Sequence, residues 1–169
     1  MLDNGTSHQS RLKANPHLAG KLTGGGPNPP DGGEGACLAF GYLRGLHERA
    51  NAIEFRLRGG NSVWYPYNWL GTWKFDPSVG LLLKFSGDLV YLVLIRGSNL
   101  DKPVGDSGID LIRAGLQRHR IIWVREMGEE DILQAEDRAS TIDSIDVAEF
   151  ESHEALKGWL TENAPAFSR

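Results

Sequence analysis

Residues 53–65 read IEFRLRGGNSVWY, and this stretch predicts a β-hairpin. Over 53–58 apolar residues alternate with charged ones, which is the period of a half-buried strand. Two glycines follow at 59 and 60, and glycine supplies the positive φ that a tight hairpin turn needs. The second strand is expected over 62–65. We therefore expect Phe55 to face the core and Arg56 to face away from it.

The hairpin is followed by more strand patterns separated by turn residues, at 71–75, 80–85 and 89–96. The last of these contains LVYLVLI at 89–95, which is apolar on both faces. Such a strand should lie centrally and be covered on each side. Ile109, Ile112 and Leu116 recur at helical spacing. We therefore expect a helix over 106–118, capped by Asp106 or Ser107, to supply the second cover.

Elements are also predicted on either side of this region. Residues 36–50 predict a helix, because apolar side chains recur there three and four positions apart: Leu38, Tyr42, Leu43, Leu46 and Ala50. Towards the other end, a strand is expected at 121–124, a helix or loop at 129–137 and an edge strand at 144–150. Ser152 then caps a final helix that carries Leu156, Trp159 and Leu160.

Together these elements predict an α+β domain over residues 35–163. Its architecture is expected to be a strongly curved antiparallel sheet, or a small partly open barrel, of about five to six strands. An N-terminal helix, a covering helix and a C-terminal helix complete it. A leading helix before a five-strand meander resembles the Sm-like small barrels in element order, although no Sm-type motif is present.

The segment before the domain has a different composition. Residues 24–35 read GGGPNPPDGGEG, with six glycines and three prolines in twelve residues. Neither a helix nor a strand tolerates this composition. Residues 1–34 are therefore predicted to be a disordered Gly/Pro-rich tail and linker.

Composition limits the class of protein. The chain has 169 residues, of which 40% are apolar and 24% charged, as in an ordinary globular protein. Its single cysteine, Cys37, excludes an internal disulfide and favours a reducing, cytoplasmic location. The longest dense apolar run, 89–95, is too short to span a bilayer as a helix. Residues 1–20 lack the apolar run of an export signal, so neither export nor membrane insertion is expected.

Charge is unevenly distributed along the chain. Residues 1–125 carry 15 Lys+Arg and 10 Asp+Glu, whereas residues 126–169 carry 3 and 12. The body is thus mildly basic and the C-terminal third is acidic. Three interpretations are open: both regions are solvated surface, the two pair with each other, or the acidic end repels or mimics nucleic acid.

Motifs for catalysis or cofactor binding do not emerge. NPHLAGKLT at 15–23 lacks the first glycine and the hydroxyl residue of a phosphate-binding loop. The five histidines and one cysteine lack the clustered spacing of a zinc site. Asp76 and Lys84 do not form an acid-x-Lys pattern for magnesium chemistry. We therefore expect no metal and no cofactor.

Two groups of residues are candidates for binding. Aromatic rings are crowded between 64 and 75, and the candidates among them are Trp64, Tyr67, Trp69 and Trp73. Large amphipathic rings are common at interfaces and can stack on bases, but they can equally close the core of a curved sheet. The basic candidates are Arg113, Arg118 and Arg120, which either form a contact patch or complement a helix dipole.

These residues favour a non-enzymatic binding or interaction module with an aromatic and arginine-rich surface and a protein partner. A nucleic-acid-binding small barrel of the Sm-like type is the alternative. A further alternative is an enzyme whose site is assembled from dispersed carboxylates and His119.

Overall fold

A computed structural model describes residues 32–168, which form nine strands in two sheets. The first sheet has the order β1-β2-β8-β3-β4. Its strands are β1 (Glu34–Ala36), β2 (Phe40–Leu43), β3 (Ala52–Arg56), β4 (Ser62–Pro66) and β8 (Ile121–Arg125). β3 and β8 run parallel, and the other neighbours run antiparallel.

The second sheet is antiparallel throughout, in the order β5-β6-β7-β9. Its strands are β5 (Leu70–Asp76), β6 (Gly80–Ser86), β7 (Val90–Ser98) and β9 (Thr141–Phe150). A 3-10 turn, Tyr67–Trp69, leads from the first sheet to the second. Helix α1 (Glu129–Gln134) precedes β9, and helix α2 (His153–Asn163) follows it.

The main core lies between the two sheets. Phe55 of β3 and Phe85 of β6 are both fully buried, and their rings meet edge to face with centroids 6.1 Å apart. Tyr65 of β4 stacks on Phe85 with centroids 4.8 Å apart. The inward position of Phe55 is therefore confirmed. Gly60 has φ +87° in the turn between β3 and β4, as the predicted hairpin requires.

β7 is buried on both faces, as its sequence predicts. Val93 and Ile95 belong to the core between the sheets, whereas Leu92 and Leu94 face a second cluster on the outer side. That second cluster includes α2 and the residues after it: Leu156, Leu160, Ala164 and Phe167. The C-terminal helix therefore covers β7, and the expectation that residues 106–118 do so is wrong.

The predicted N-terminal helix over 36–50 is also wrong. This segment contains the end of β1, all of β2 and then turns. Two residues of the supposed apolar stripe, Leu38 and Leu46, are 45% and 70% exposed. Gly41 lies directly beneath the indole of Trp123, since a Cβ built on it would stand 2.2 Å from the ring nitrogen. The glycine therefore serves close packing between strands.

Residues 106–118 do not form an α-helix. They contain parts of two 3-10 turns, Gly105–Ser107 and Leu116–Arg118, and between them a π-helical turn, Leu111–Gly115. The buried carboxylate of Asp110 organises that turn, because it accepts hydrogen bonds from three successive backbone N–H groups, those of residues 112–114, at 2.9, 2.6 and 3.2 Å. Apolar residues three and four positions apart are compatible with such turns as well as with an α-helix, so this spacing did not distinguish the two.

The architecture is α+β, as expected, but it is not one sheet of five to six strands and it is not a closed barrel. The predicted disordered tail falls mostly on residues 1–31, which lie outside the described residues; β1 begins at Glu34. In the part of the chain that is described, no helix combines the length and the apolar character needed to cross a bilayer.

Candidate functional site

Strand order brings three separate segments to one end of the first sheet. β3 and β8 are parallel, so both begin at this end, whereas β2 and β4 run the other way and finish there. The connection from β2 to β3 (residues 44–51), the residues after β4 and the residues before β8 therefore meet there. Three backbone hydrogen bonds link them: Leu43 N to Arg120 O at 2.8 Å, Ala50 N to His119 O at 2.7 Å and Tyr67 N to Asn51 O at 2.8 Å.

Four arginines and a histidine lie at this end of the sheet, and we call them the basic end: Arg44, Arg49, Arg118, His119 and Arg120. Four described carboxylates are nearby: Glu34 pairs with Leu43 at the start of β1, Asp110 shares a cleft with Arg118, and the other two are Glu48 and Asp106. Glu48 accepts a hydrogen bond from Gly45 N at 3.0 Å, and Asp106 lines a cleft together with Arg44 and Arg120. The carboxylates of Glu48 and Asp110 are engaged by backbone N–H groups rather than by the arginines.

Arg120 is the anchor of the basic end. Its side chain is only 4% exposed, and its guanidinium donates to Leu43 O at 2.9 Å and Arg44 O at 2.6 Å. Burial, followed by the neighbouring charges of Arg49 and Arg118, lowers the pKa of Arg120 from its usual value. Arg120 thus holds the chain after β2 against the start of β8, so its side chain is not a surface group.

The other arginines are exposed. Arg49 folds back on its own loop, where Nη1 donates to Leu46 O at 3.0 Å and Glu48 O at 2.8 Å. Within residues 32–168, the side chains of Arg44 and Arg118 form neither an ion pair nor a hydrogen bond. These two guanidinium groups are therefore available for a ligand.

Tyr67 and His119 form the aromatic wall of this site. Their rings stack with centroids 4.4 Å apart and planes at 19°. The Tyr67 hydroxyl donates to Ile121 O at 2.9 Å, and burial raises the pKa of this phenol well above its usual value. A cleft of about 480 Å³ lies beside the stack and is also lined by Arg49, Asn51 and Asn68. The cleft shared by Arg44 and Arg120 has about 370 Å³.

The structure gathers some of the predicted site residues here and separates the others. Tyr67, Arg118 and Arg120 lie at the basic end, and Arg113 shares a neighbouring cleft of about 300 Å³ with Arg118. Trp69 and Trp73 are half-buried and pack against the core. The ring of Trp69 stacks on Tyr91 at 6.0 Å and lies against Gly87, where a Cβ would approach the ring to 2.7 Å.

Trp64 occupies a different surface. It is 60% exposed on β4 and pairs across the strands with Glu54 of β3, which in turn pairs with Trp123 of β8. The guanidinium of Arg56 lies 4.5 Å from the ring centroid of Trp123 and forms an ion pair with Glu54 at 2.7 Å. The two tryptophans therefore mark the outer face of the first sheet.

The acidic C-terminal third contacts other arginines of the body. Asp146 pairs with Arg96, and Asp131 pairs with Arg125 at 3.1 Å. The Glu126 carboxylate accepts from the backbone N–H of Arg58 at 2.9 Å. These pairings lie along β7, β8 and the hairpin and involve none of the arginines of the basic end.

Arg44 and Arg49 are not among the site residues predicted from the sequence, because both fall in the segment predicted to be a helix. There a charged side chain is ordinarily a solvated surface group. Their place in the site follows from the pairing of β8 with both β2 and β3. This pairing joins strands that are distant in sequence. Local periodicity carries no information on that pairing.

Other chemistry in the described residues is sparse. Burial raises the pKa of the Cys37 thiol, which opposes nucleophilic reactivity. Among residues 32–168, no group of three or more His, Cys, Asp or Glu side chains is placed to hold a metal ion. Comparison with protein-family models, with curated proteins and with solved structures found no match for this chain.

Proposed function

We propose that this protein is a non-enzymatic binding module whose basic end holds an acidic segment of a partner protein. The observation that carries the proposal is the convergence of four arginines from two separate segments, residues 44–49 and 118–120, at one end of the first sheet, with the side chains of Arg44 and Arg118 unpaired within residues 32–168. A cytoplasmic location is part of the proposal and is based on the single cysteine, Cys37.

Guanidinium groups suit this role because their planar N–H groups match the two oxygens of a carboxylate. The site is also held in place. Arg120 joins β2 to β8 through two backbone carbonyls, and the stack of Tyr67 on His119 fixes the residue between Arg118 and Arg120. A site that is ordered before binding loses less conformational entropy when a partner arrives.

Nucleic acid is the second candidate, and the observation that favours it is on the outer face of the first sheet. There the exposed ring of Trp64 and the ring of Trp123 offer stacking surfaces beside Arg56. However, Arg56 is already paired with Glu54 on that face.

The test is a fluorescence anisotropy titration with a labelled polyglutamate peptide and, separately, a labelled single-stranded oligonucleotide of similar length. Arg118→Gln should weaken peptide binding about tenfold, as expected for the loss of one charge-assisted contact. Arg138→Gln is the matched control, because Arg138 is exposed and lies between α1 and β9. It removes the same charge and should leave the affinity unchanged.

The two candidates give different results. Tight binding of the oligonucleotide that is lost in Trp64→Ala, with weak binding of the peptide, would favour nucleic acid. Binding of the peptide that responds equally to Arg118→Gln and Arg138→Gln would show a general charge effect and would overturn the proposal.

A further inference from the structure

A groove lies on the outer side of the second sheet, away from the basic end. α2 packs towards β9, where the ring of Trp159 meets Phe150 edge to face with centroids 6.0 Å apart. On the side of β5, Lys74 Nζ donates to Phe167 O at 3.0 Å, which ties the C-terminal 3-10 turn Pro165–Phe167 to the sheet. A groove of about 390 Å³ remains between helix, turn and sheet.

The walls of this groove are largely apolar. Four leucines from the sheet and from α2 line it, together with the ring of Phe167; the leucines are Leu82, Leu92, Leu156 and Leu160, and Thr72 and His153 also line the groove. Its volume falls at the lower end of the range of about 300–1,000 Å³ that is typical of small-molecule sites. A single hydrocarbon chain is therefore a suitable occupant in size and in polarity.

Cationic side chains border the same groove. Lys74 and Lys84 come from the sheet, opposite Leu82 and Leu92 in the strand register, and Lys157 comes from α2. None of the groove's lining residues within 32–168 is acidic. In that same part of the chain, the ammonium groups of Lys84 and Lys157 have no ion-pair partner.

Lys84 is the most informative of these residues. It projects from the outer face of β6, lies opposite Leu92 of β7 and is half-buried. A charge at an apolar surface is poorly solvated and gains from an anionic partner more than a fully solvated charge does. The groove thus combines an apolar floor with unbalanced positive charge at its border.

We propose that this groove binds a fatty acid, with the hydrocarbon chain against the leucines and the carboxylate between Lys84 and Lys157. This site is separate from the basic end and adds a small-molecule ligand to the proposed partner binding. The positive charge of the lysines favours an anionic ligand, and the apolar walls favour a ligand with a hydrocarbon chain. A short hydrophilic acid would satisfy the lysines but leave the walls without a partner.

The first experiment is isothermal titration calorimetry of the full chain with octanoate, decanoate and dodecanoate, each below its micellar concentration. The affinity should rise about fourfold for each added methylene that the groove covers. 1-Dodecanol and dodecylammonium should bind at least about tenfold more weakly than dodecanoate, because they lack the negative charge. Equal affinity for dodecanoate and 1-dodecanol would overturn the proposal.

The second experiment locates the site. Lys84→Gln with Lys157→Gln should lower dodecanoate affinity about tenfold or more and leave 1-dodecanol unaffected. Arg118→Gln, at the basic end, should not change dodecanoate binding, so failure of one proposal remains distinguishable from failure of the other. If the lysine pair has no effect on dodecanoate, or if Arg118→Gln abolishes its binding, the groove is not the site.

Discussion

The imidazole of His119 lies on the ring of Tyr67, with centroids 4.4 Å apart and planes at 19°. His119 has a left-handed backbone, with φ +54°, and ends the 3-10 turn before β8. Tyr67 follows β4 and donates its hydroxyl to Ile121 O at 2.9 Å. The contact therefore joins the ends of two strands that are not neighbours in the sheet, and it positions the backbone between Arg118 and Arg120.

The buried phenol of Tyr67 predicts a loss of stability at alkaline pH. Burial raises the pKa of Tyr67 above the value of about 10 that it has in the unfolded chain. The folded protein then keeps a proton that the unfolded chain releases. Stability due to this group is fully present below about pH 10 and falls by up to about 1.4 kcal/mol per pH unit above it.

Urea unfolding of the native protein and of Tyr67→Phe, measured between about pH 8 and pH 11, checks this prediction. The comparison is needed because the pKa of Tyr65 is also raised, by burial first, and that of Tyr91 is raised to about 12, chiefly by its hydrogen bond to Asp88. Tyr67→Phe should show the smaller decline above pH 10. The same decline in both proteins would mean that this phenol is solvated.

Arg120 and Arg118 should respond differently to substitution although they are two residues apart. Arg120→Met removes two hydrogen bonds that the buried Arg120 guanidinium donates to backbone carbonyls and should lower the free energy of unfolding by about 2–3 kcal/mol. Arg118→Met changes an exposed side chain and should stay within about 0.5 kcal/mol. Chemical denaturation of both variants measures the difference, and equal stability would contradict the structural role given to Arg120.

Asp110 should contribute more to stability than an ordinary helix cap. Its carboxylate accepts three backbone hydrogen bonds in a buried position, so Asp110→Ala should cost about 2–3 kcal/mol. Ser152→Ala, at the exposed start of α2, removes one hydrogen bond of 3.2 Å and should cost about 0.5–1 kcal/mol. Thermal unfolding of both variants tests the order, and a larger loss for Ser152→Ala would reverse the interpretation of the π-helical turn.

Substitutions of Trp64 and Trp69 should differ in their effect on stability, because one of these crowded aromatic residues lies on the surface and the other packs against the core. Trp64→Ala should change stability by no more than about 0.5 kcal/mol, because the ring is 60% exposed. Trp69→Ala should cost about 2–3 kcal/mol, since it removes a half-buried ring stacked on Tyr91. The unfolding midpoints of the two variants provide the measurement, and a silent Trp69→Ala would place that ring on the surface.

Local patterns predicted the parts of the fold that local physics determines. The alternation around Phe55 gave the register of β3, and the two-sided hydrophobicity of residues 89–95 predicted a strand covered on both faces. The element that packs on the outer face of β7 was predicted wrongly, because α2 and residues 106–118 have similar spacing of apolar residues. The helix over 36–50 was wrong because Gly41 serves a close approach of Trp123, a contact between residues far apart in sequence.

For the same reason, only part of the candidate site could be predicted from the sequence. Arg118 and Arg120 were found as a basic run, yet sequence alone does not show that one is exposed and the other is buried beneath the chain after β2. Arg44 and Arg49 join them only because β8 inserts between β2 and β3. That insertion depends on long-range pairing, which no local pattern encodes.

The central claim, that the basic end binds an acidic segment, is tested most directly by NMR. Amide chemical shifts of the full chain would be followed as unlabelled polyglutamate peptide is added. If the basic end is the site, the largest changes fall on Arg44, Arg49 and Arg118; in Arg118→Gln the changes at Arg44 and Arg49 need about tenfold more peptide to saturate, and in Arg138→Gln they are unaltered. Changes centred instead on Trp64 and Trp123, or no saturable change at the basic end, would contradict it.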